Sequence, residues 1–268
     1  MYLNYWGFKE KPFENTPDPK FLYKTANHEE ALMRMVYCIE EKKGAAMLTG
    51  EYGCGKTLLT RALLRELFKE EDIYKVALIV NPSFASNDFL REIIFQFENI
   101  FLNGTKLELI HRLNEILYKN MKENKKSIVI VDEAQAIENR SMFEELRLLL
   151  NFQMNDKFLL TLLLVGQPEL REEIDRIPQL KQRLAINYHL TGLNQEDSGK
   201  YIDYRCTVAG RNESAFNRNA TTMIADKASG IPRKINTICE LCLLQGMFEH
   251  KSIINEEIVG KVSEEVCL

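Results

Sequence analysis

The chain has 268 residues, 45% of them hydrophobic and 28% charged, which are the proportions of an ordinary globular protein. Its formal net charge of −4 argues against a nucleic-acid protein held by bulk positive charge, although a local basic patch stays compatible with it. No apolar run approaches the roughly 20 residues of a membrane span, and the N-terminus lacks a signal-peptide pattern, so we expect a cytoplasmic protein.

The first 45 residues predict an extended segment followed by one helix. Pro12, Pro17 and Pro19 fix φ and disfavour helix in the residue before each, so the segment around them should be extended. The helix should begin at Asn27 as its N-cap, and His28 should be a surface or capping residue or else line a ligand pocket. Its expected apolar stripe is Ala31, Leu32, Met35, Val36 and Ile39.

Residues 48–57 read Leu-Thr-Gly-Glu-Tyr-Gly-Cys-Gly-Lys-Thr, which fits the phosphate-loop pattern of Gly, four residues and Gly-Lys-Ser/Thr. An apolar run before them and a helical pattern after them supply the expected strand, loop and helix. Glycine lets backbone N–H groups approach phosphates, and a helix beginning near Gly55 would direct its dipole at them. Lys56 should contact the β- and γ-phosphates, and the Thr57 hydroxyl should ligate Mg²⁺. The predicted nucleotide-binding residues are Gly50, Glu51, Tyr52, Gly53, Cys54, Gly55, Lys56, Thr57 and Leu58.

A second motif, Ser-Ile-Val-Ile-Val-Asp-Glu-Ala-Gln from residue 127, is an apolar strand that ends in two acids. A parallel sheet would deliver Asp132 to the edge beside the phosphate loop, where it should hold Mg²⁺ mostly through water. Glu133 should orient and deprotonate an attacking water. A further apolar run, Phe158 to Val165, leads to Gln167, which is either a contact of the γ-phosphate or lytic water or a turn residue.

Alternation of buried strands with helical patterns predicts an α/β fold with a five-stranded parallel sheet covered by helices on both faces. The other strands are expected at Val76–Val80 and Ile186–Leu190, and helices at Asn87–Phe101, Lys106–Met121, Ser141–Phe152, Pro168–Ile174 and Gln179–Leu184. Beyond residue 191 four helices are expected, at Asn194–Val208, Asn219–Ala228, Pro232–Phe248 and Asn255–Val266. The sequence therefore predicts a nucleotide-binding domain, 1–191, and a small helical lid domain, 192–268.

Six cysteines are present, and in the cytoplasm they should be free thiols. Cys239 and Cys242 form a Cys-x-x-Cys pair, but no further Cys or His lies at zinc-ligand spacing. Because both fall in an apolar helical pattern, we expect buried core thiols rather than a metal or redox site.

Together the phosphate loop, the acidic strand end and the helical C-terminal part resemble the AAA+ class of ATPases. Several motifs are similar to those of the general secretion pathway protein A (ExeA-type) ATPases. They are Gly7-Phe8, Lys11-Pro-Phe13, Thr16-Pro-Asp-Pro19, Phe21-Leu-Tyr23, Leu48-Thr-Gly-Glu51, Val131-Asp-Glu-Ala-Gln135 and Leu164-Val-Gly-Gln-Pro-Glu-Leu170. The resemblance covers nearly the whole chain. It implies an AAA+ fold with a lid, ATP and Mg²⁺ as ligands, and a homo-oligomeric ring or filament.

The resemblance also implies roles for residues outside the two motifs. Arg233, in Gly-Ile-Pro-Arg, resembles the lid arginine that touches the γ-phosphate within one subunit. Arg183 resembles the finger that reaches a neighbour's ATP, with Arg176 as the alternative, and arginine suits both tasks because its charged fork matches phosphate oxygens. The segment that packs on adenine is expected around Phe13, Phe21 and Tyr23.

Three functions stay open on this resemblance. The first is an ATPase whose oligomerisation drives assembly of a secretion or envelope machine through a protein partner. The second is an ATP-dependent regulator of DNA transposition, similar to the MuB and TniB type, which would bind duplex DNA. The third is a nucleotide switch with little turnover. Larger members of the secretion family carry a membrane span and a periplasmic peptidoglycan-binding domain after the ATPase part. We expect neither here, which weakens the prediction of a secretion role.

Overall fold

The computed structural model describes residues 2–16, 18–70, 72–80, 82–83, 85–154 and 157–265. Pro17, Cys267 and the predicted helix end at Val266 lie outside these residues. The chain forms two compact units. The helical unit comprises Met1–Asn27, Glu51–Leu58 and Thr191–Leu268, and the sheet unit comprises His28–Gly50 and Leu59–Leu190.

The strands, in chain order, are β1 (Ala45–Gly50), β2 (Tyr74–Ile79), β3 (Lys126–Val131), β4 (Gln153–Met154), β5 (Lys157–Phe158), β6 (Leu160–Gly166) and β7 (Leu184–Leu190). Five of them form a parallel sheet in the order β2-β3-β6-β1-β7, which confirms the predicted fold class. Every residue of β1 and β6 is buried, as expected for central strands of a covered parallel sheet.

The helices, in chain order, are α1 (Tyr2–Trp6), α2 (Ala26–Glu40), α3 (Lys56–Leu67), α4 (Ser86–Glu98), α5 (Lys106–Lys122), α6 (Arg140–Leu149), α7 (Pro168–Asp175), α8 (Pro178–Lys181), α9 (Gln195–Val208), α10 (Arg218–Lys227), α11 (Pro232–Phe248) and α12 (Glu256–Glu265). Among the described residues, none of these helices has both the length and the apolarity to cross a bilayer. Each predicted helix is present, most with ends within a few residues of those predicted. The helix predicted to end at Leu184 is wrong in that end, because α8 stops at Lys181 and Leu184 begins β7.

The start of α2 differs from the prediction. The helix begins at Ala26, so Asn27 lies inside it rather than capping it. The Asn27 amide instead donates to Thr191 Oγ1 at 2.9 Å. The preceding segment is also not extended throughout, because Pro19–Phe21 forms a short 3-10 turn whose Lys20 N–H donates to the Asp18 carboxylate. Here local side-chain bonding overrode the expectation drawn from the prolines.

The apolar run predicted as one strand from Phe158 is divided between two structures. Phe158 pairs with Gln153 in the antiparallel β4–β5 ribbon, and the central strand β6 begins only at Leu160. The predicted helix end at Phe152 is likewise wrong, because α6 ends at Leu149 and the Phe152 carbonyl accepts from Leu159 N at 2.9 Å. The apolar pattern placed Phe158 in a buried strand and Phe152 at a helix end, but it did not reveal the pairing of the two segments.

The helical unit has its own hydrophobic core, to which the N-terminal segment contributes Trp6 and Phe13 beside residues of α9 to α12. The Trp6 indole donates to Leu243 O at 2.8 Å and is 3% exposed. The C-terminal part of this unit begins at Thr191. The first 27 residues belong to the same unit as the C-terminal helices.

A buried arginine ties this N-terminal segment to two helices. Arg205 of α9 is 5% exposed, donates to the Glu14 carbonyl at 2.9 Å and donates to the Tyr201 hydroxyl at 2.8 Å. Tyr201 in turn donates to Asn236 of α11 at 2.8 Å, and the Asn236 amide donates to Asn15 at 3.0 Å. A buried guanidinium that lost these acceptors would be strongly destabilising, so the network specifies where the segment packs.

We predict that Gly230→Ala lowers the free energy of unfolding by about 2 kcal/mol, measured by urea denaturation. Gly230 has a φ of 68°, and a Cβ there would lie 1.9 Å from the Leu193 carbonyl oxygen. The matched control is Gly199→Ala, because a Cβ on this α9 glycine meets nothing nearer than 3.8 Å. The control should gain up to about 1 kcal/mol. Equal stability of Gly230→Ala and the native protein would contradict the packing described.

The described cysteines Cys38, Cys54, Cys206, Cys239 and Cys242 are free and buried, which confirms the predicted burial of the Cys-x-x-Cys pair. Burial raises the pKa of Cys206 and Cys242 to about 12. At pH 8 only about one such thiol in ten thousand is a thiolate, the form that attacks disulfide reagents.

We therefore predict that the folded Cys267→Ser variant reacts slowly with an aromatic disulfide reagent at pH 8. The substitution removes the one cysteine that lies outside the described residues. All five remaining thiols should react promptly in urea. Absorbance of the released thiolate gives the count. Rapid reaction of two thiols in the native protein would instead indicate an accessible Cys239–Cys242 pair.

Candidate functional site

Residues 51–58 of the phosphate loop belong to the helical unit, and Gly50 ends β1 in the sheet unit. Helix α3 begins at Lys56, next to the expected Gly55. Gly53 and Gly55 have φ values of 88° and 95°, a region that glycine enters without the steric penalty of other residues. The Lys56 side chain is buried, and its Nζ donates to the Glu51 carbonyl at 3.0 Å. The loop therefore already directs a buried ammonium group toward an oxygen acceptor.

The first turn of α11 lies against this loop. The Arg233 N–H donates to the Gly53 carbonyl at 3.3 Å, and the Arg233 guanidinium lies 4.5 Å from the centroid of the Tyr52 ring. A Cβ on Gly53 would lie 2.6 Å from the Arg233 Cβ, so only glycine permits this approach. The predicted lid arginine is thus in direct contact with the predicted phosphate loop.

The acid pair follows β3 in the sheet unit, at the edge where β1 and β6 also end. Asp132 is 3% exposed, and its N–H donates to the Ile79 carbonyl at 2.8 Å. Its carboxylate accepts from the Glu133 N–H at 2.9 Å. Glu133 has a φ of 52°, a left-handed conformation that is uncommon outside glycine and costs about 1–3 kcal/mol. The predicted acidic end of β3 is therefore present. Its backbone is strained at Glu133, the residue predicted to act as the general base.

Sequence reasoning missed Gln135, which joins the ends of β3 and β6. Its Nε2 donates to Glu133 Oε2 at 2.6 Å, and its Oε1 accepts from the Gln167 N–H at 3.0 Å. A Cβ on Gly166 would lie 2.8 Å from this Oε1. Gln167, predicted as a phosphate or water contact, thus uses its backbone here, while its side chain makes no capping bond to α7. In the sequence, the signal for Gln135 is its position two residues after Glu133 of the acid pair.

The three aromatic residues expected near adenine differ in exposure. Phe13 is 0% exposed and packs edge-on against Phe216 at 5.8 Å, so it offers no ring face to a ligand in this structure. Phe21 is also buried, and the Arg205 guanidinium lies 4.5 Å from its ring centroid. Tyr23 is half-buried and has the most accessible ring of the three.

The two candidate finger arginines lie in the sheet unit in different surroundings. Arg183 donates to the Leu150 carbonyl at 2.9 Å and to Asn151 Oδ1 at 3.2 Å, beside the end of α6. The side chain of Arg176 is 66% exposed and pairs with Glu173, three residues earlier on α7. The guanidinium of Arg183 is therefore held in one place, whereas that of Arg176 is mostly in solvent.

Among the described residues, no group of three or more His, Cys, Asp or Glu side chains could hold a metal ion by itself. The Asp132 carboxylate and the Thr57 hydroxyl are hard oxygen donors. Hard oxygen donors of this kind suit Mg²⁺, which often keeps several waters and binds with phosphates rather than in an all-protein cage.

Comparisons with known proteins identify the family and the fold of this chain. A protein family described as the AAA domain matches residues 39–174. The general secretion pathway protein A of Aeromonas hydrophila is 38% identical over 247 residues, which is 91% of this chain and 44% of that protein. This chain therefore spans less than half the length of that relative.

Solved structures with the same fold have low sequence identity. The ORC2 protein of Aeropyrum pernix superposes with a TM-score of 0.67 at 20% identity, covering 96% of this chain and 72% of that one. Cdc6p from Pyrobaculum aerophilum gives 0.69 at 19% identity, covering 92% and 69%. The Thermotoga maritima RuvB branch migration motor gives 0.60 at 17% identity, covering 90% and 69%.

Proposed function

Since this chain belongs to the AAA domain family, we propose that it binds ATP with Mg²⁺, hydrolyses it, and couples hydrolysis to assembly of several copies. The observation that carries the proposal is the phosphate loop, in which Lys56 is buried and Arg233 contacts Gly53. The similar ORC2 protein was solved in complexes with ADPNP and ADP, which supports nucleotide binding by this fold.

Binding begins with an exchange of partners at Lys56. Its ammonium donates to a neutral carbonyl, that of Glu51, and a phosphate oxygen is a stronger, charged acceptor. The twelve-residue helix α3 starts at this lysine, so the N–H groups of its first turn and its dipole also favour an anion there. Bound Mg²⁺, held by Thr57 and Asp132, would neutralise charge on the phosphates.

Hydrolysis requires a base at the acidic strand end. Glu133 would take a proton from water as the water oxygen bonds to the γ-phosphorus and the bond to the β-phosphate oxygen breaks, giving ADP and phosphate. Gln167 would contact the γ-phosphate or this water. A positioned general base is worth about 10²–10⁴ in rate.

Two arginines would complete the charge stabilisation. Arg233, stacked on Tyr52, would fork onto γ-phosphate oxygens within its own subunit. Arg183 would reach ATP bound by a neighbouring copy. Arginine has five N–H donors, and the two bonds of Arg183 near α6 occupy only two, so its guanidinium is oriented with donors remaining.

The biological process is proposed from the secretion relative alone. We propose that the oligomer acts in the cytoplasm on a protein partner during assembly of a secretion or envelope machine. The relative is a general secretion pathway protein, which supports this process, and this chain covers 44% of its length.

The central test compares native protein, Lys56→Ala and Glu133→Gln for ATP affinity and phosphate release. Lys56→Ala should lose ATP affinity because the charged phosphate contact is gone. Glu133→Gln should keep its affinity and lose turnover by about 10²-fold or more, since an amide cannot accept the proton. Tight binding without phosphate release at any concentration of native protein would favour a nucleotide switch. Release that requires duplex DNA would favour a regulator of transposition.

Hydrolysis per subunit should also rise with protein concentration, because a trans arginine enters the site only in the oligomer. We predict that Arg183→Ala keeps ATP affinity and thermal stability but loses this rise, with a rate lowered by about 10³. Arg176→Ala, which removes a mostly exposed guanidinium nearby, is the matched control and should keep the rise. If Arg176→Ala lost the rise with protein concentration and Arg183→Ala kept it, Arg176 would be the trans arginine.

A further inference from the structure

We infer that Gln135 is a positioning residue that holds the carboxylate of Glu133 and connects it to the end of β6. The inference rests on the proposed hydrolysis and adds a residue to it. Both ends of the Gln135 amide are bonded within the sheet unit, to the Glu133 side chain at 2.6 Å and to the Gln167 backbone at 3.0 Å.

The chemistry of the two partners fixes the orientation of this amide. A backbone N–H can only donate, so Oε1 of Gln135 must face Gln167. The NH₂ group must then face Glu133, whose ionised carboxylate can only accept. Turning the amide over would set N–H against N–H and oxygen against oxygen. One side chain is therefore held by two strand ends at once.

The backbone around Gln135 is built to allow this bridge. Gly166 ends β6, and a Cβ there would lie 2.8 Å from Gln135 Oε1, closer than non-bonded atoms come. Glu133 has a left-handed backbone and is followed at once by a 3-10 turn, Ala134–Ala136. The strained residue and the turn carry the chain from the end of β3 to the position where residue 135 meets β6.

The consequence for hydrolysis is a fixed base. The bond occupies Oε2 of Glu133, so the carboxylate cannot rotate freely, and Oε1 is left as the proton acceptor. A base held by neighbouring hydrogen bonds loses less freedom when it meets its substrate. Because Gln167 is the proposed contact of the γ-phosphate or water, Gln135 also links that contact to the base.

The sharpest variant is Gln135→Glu, which keeps the size of the side chain and its acceptor for the Gln167 N–H. It replaces the donor facing Glu133 with an oxygen that repels the carboxylate. We expect turnover to fall at least tenfold, with ATP affinity changed less than twofold. Single-turnover phosphate release and equilibrium titration with a fluorescent ATP analogue, both on the full chain, give the two numbers.

Gln96→Glu is the matched control. The Gln96 amide has the same kind of partners in the same unit, since it accepts from Leu78 N at 2.6 Å and donates to Leu78 O at 2.9 Å and to Glu92 at 2.7 Å. These bonds cover the outer edge of β2, outside the proposed site. The turnover of Gln96→Glu should equal that of the native protein, even if Gln96→Glu and Gln135→Glu both lose thermal stability.

A second measurement separates positioning from a structural role. In a Glu133→Gln background, Gln135→Glu should lower the residual rate less than twofold, because its effect acts through the base already removed. A tenfold loss in both backgrounds would overturn the inference. So would a native rate in Gln135→Glu alone, while the proposed hydrolysis would stand. Absence of phosphate release from the native protein would overturn both.

Discussion

Backbone hydrogen bonds between parallel strands bring the chemistry of the sheet unit together. The register pairs Thr49 of β1 with Gly166 of β6, and Val131 of β3 with Leu164 of β6, so the three strands end at one edge. Residues that follow these ends are distant in sequence and adjacent in space. The acid pair, its amide bridge and the entry to the phosphate loop all depend on that register, and slipping one strand by a residue would also turn its buried face outward.

In the helical unit the decisive constraint is steric. Gly53 lets the backbone of α11 approach the phosphate loop, which brings Arg233 onto Tyr52. Behind this contact the same helix is held to the N-terminal segment through Asn236 and the indole of Trp6. Arg233 therefore lies on a helix that several contacts hold in place. This would position its guanidinium for the proposed phosphate contact better than a free loop would.

The proposed site also shows how polar groups are kept in defined places. Asp132, Glu133 and Gln135 bond to one another and to the backbone of neighbouring strands, so that each carboxylate has at least one donor from the protein. In the helical unit, the buried Arg205 guanidinium likewise donates a hydrogen bond to a carbonyl of the N-terminal segment, that of Glu14. In both places a hydrogen-bond network specifies one arrangement, because any other would leave charged groups without partners.

Local patterns in the sequence were enough for the strand–loop–helix at Lys56, the acidic end of β3 and the existence of nearly every helix, because periodicity and glycine spacing report burial and backbone freedom residue by residue. The tertiary structure alone decided which buried groups meet: Phe13 with the C-terminal helices, Phe158 with Gln153, and Gln135 with Glu133 and Gln167. Each of these depends on chain segments brought together by the fold. A hydrophobic or polar pattern records that a side chain needs a partner, but the identity of that partner follows only from the strand order and the packing of distant helices.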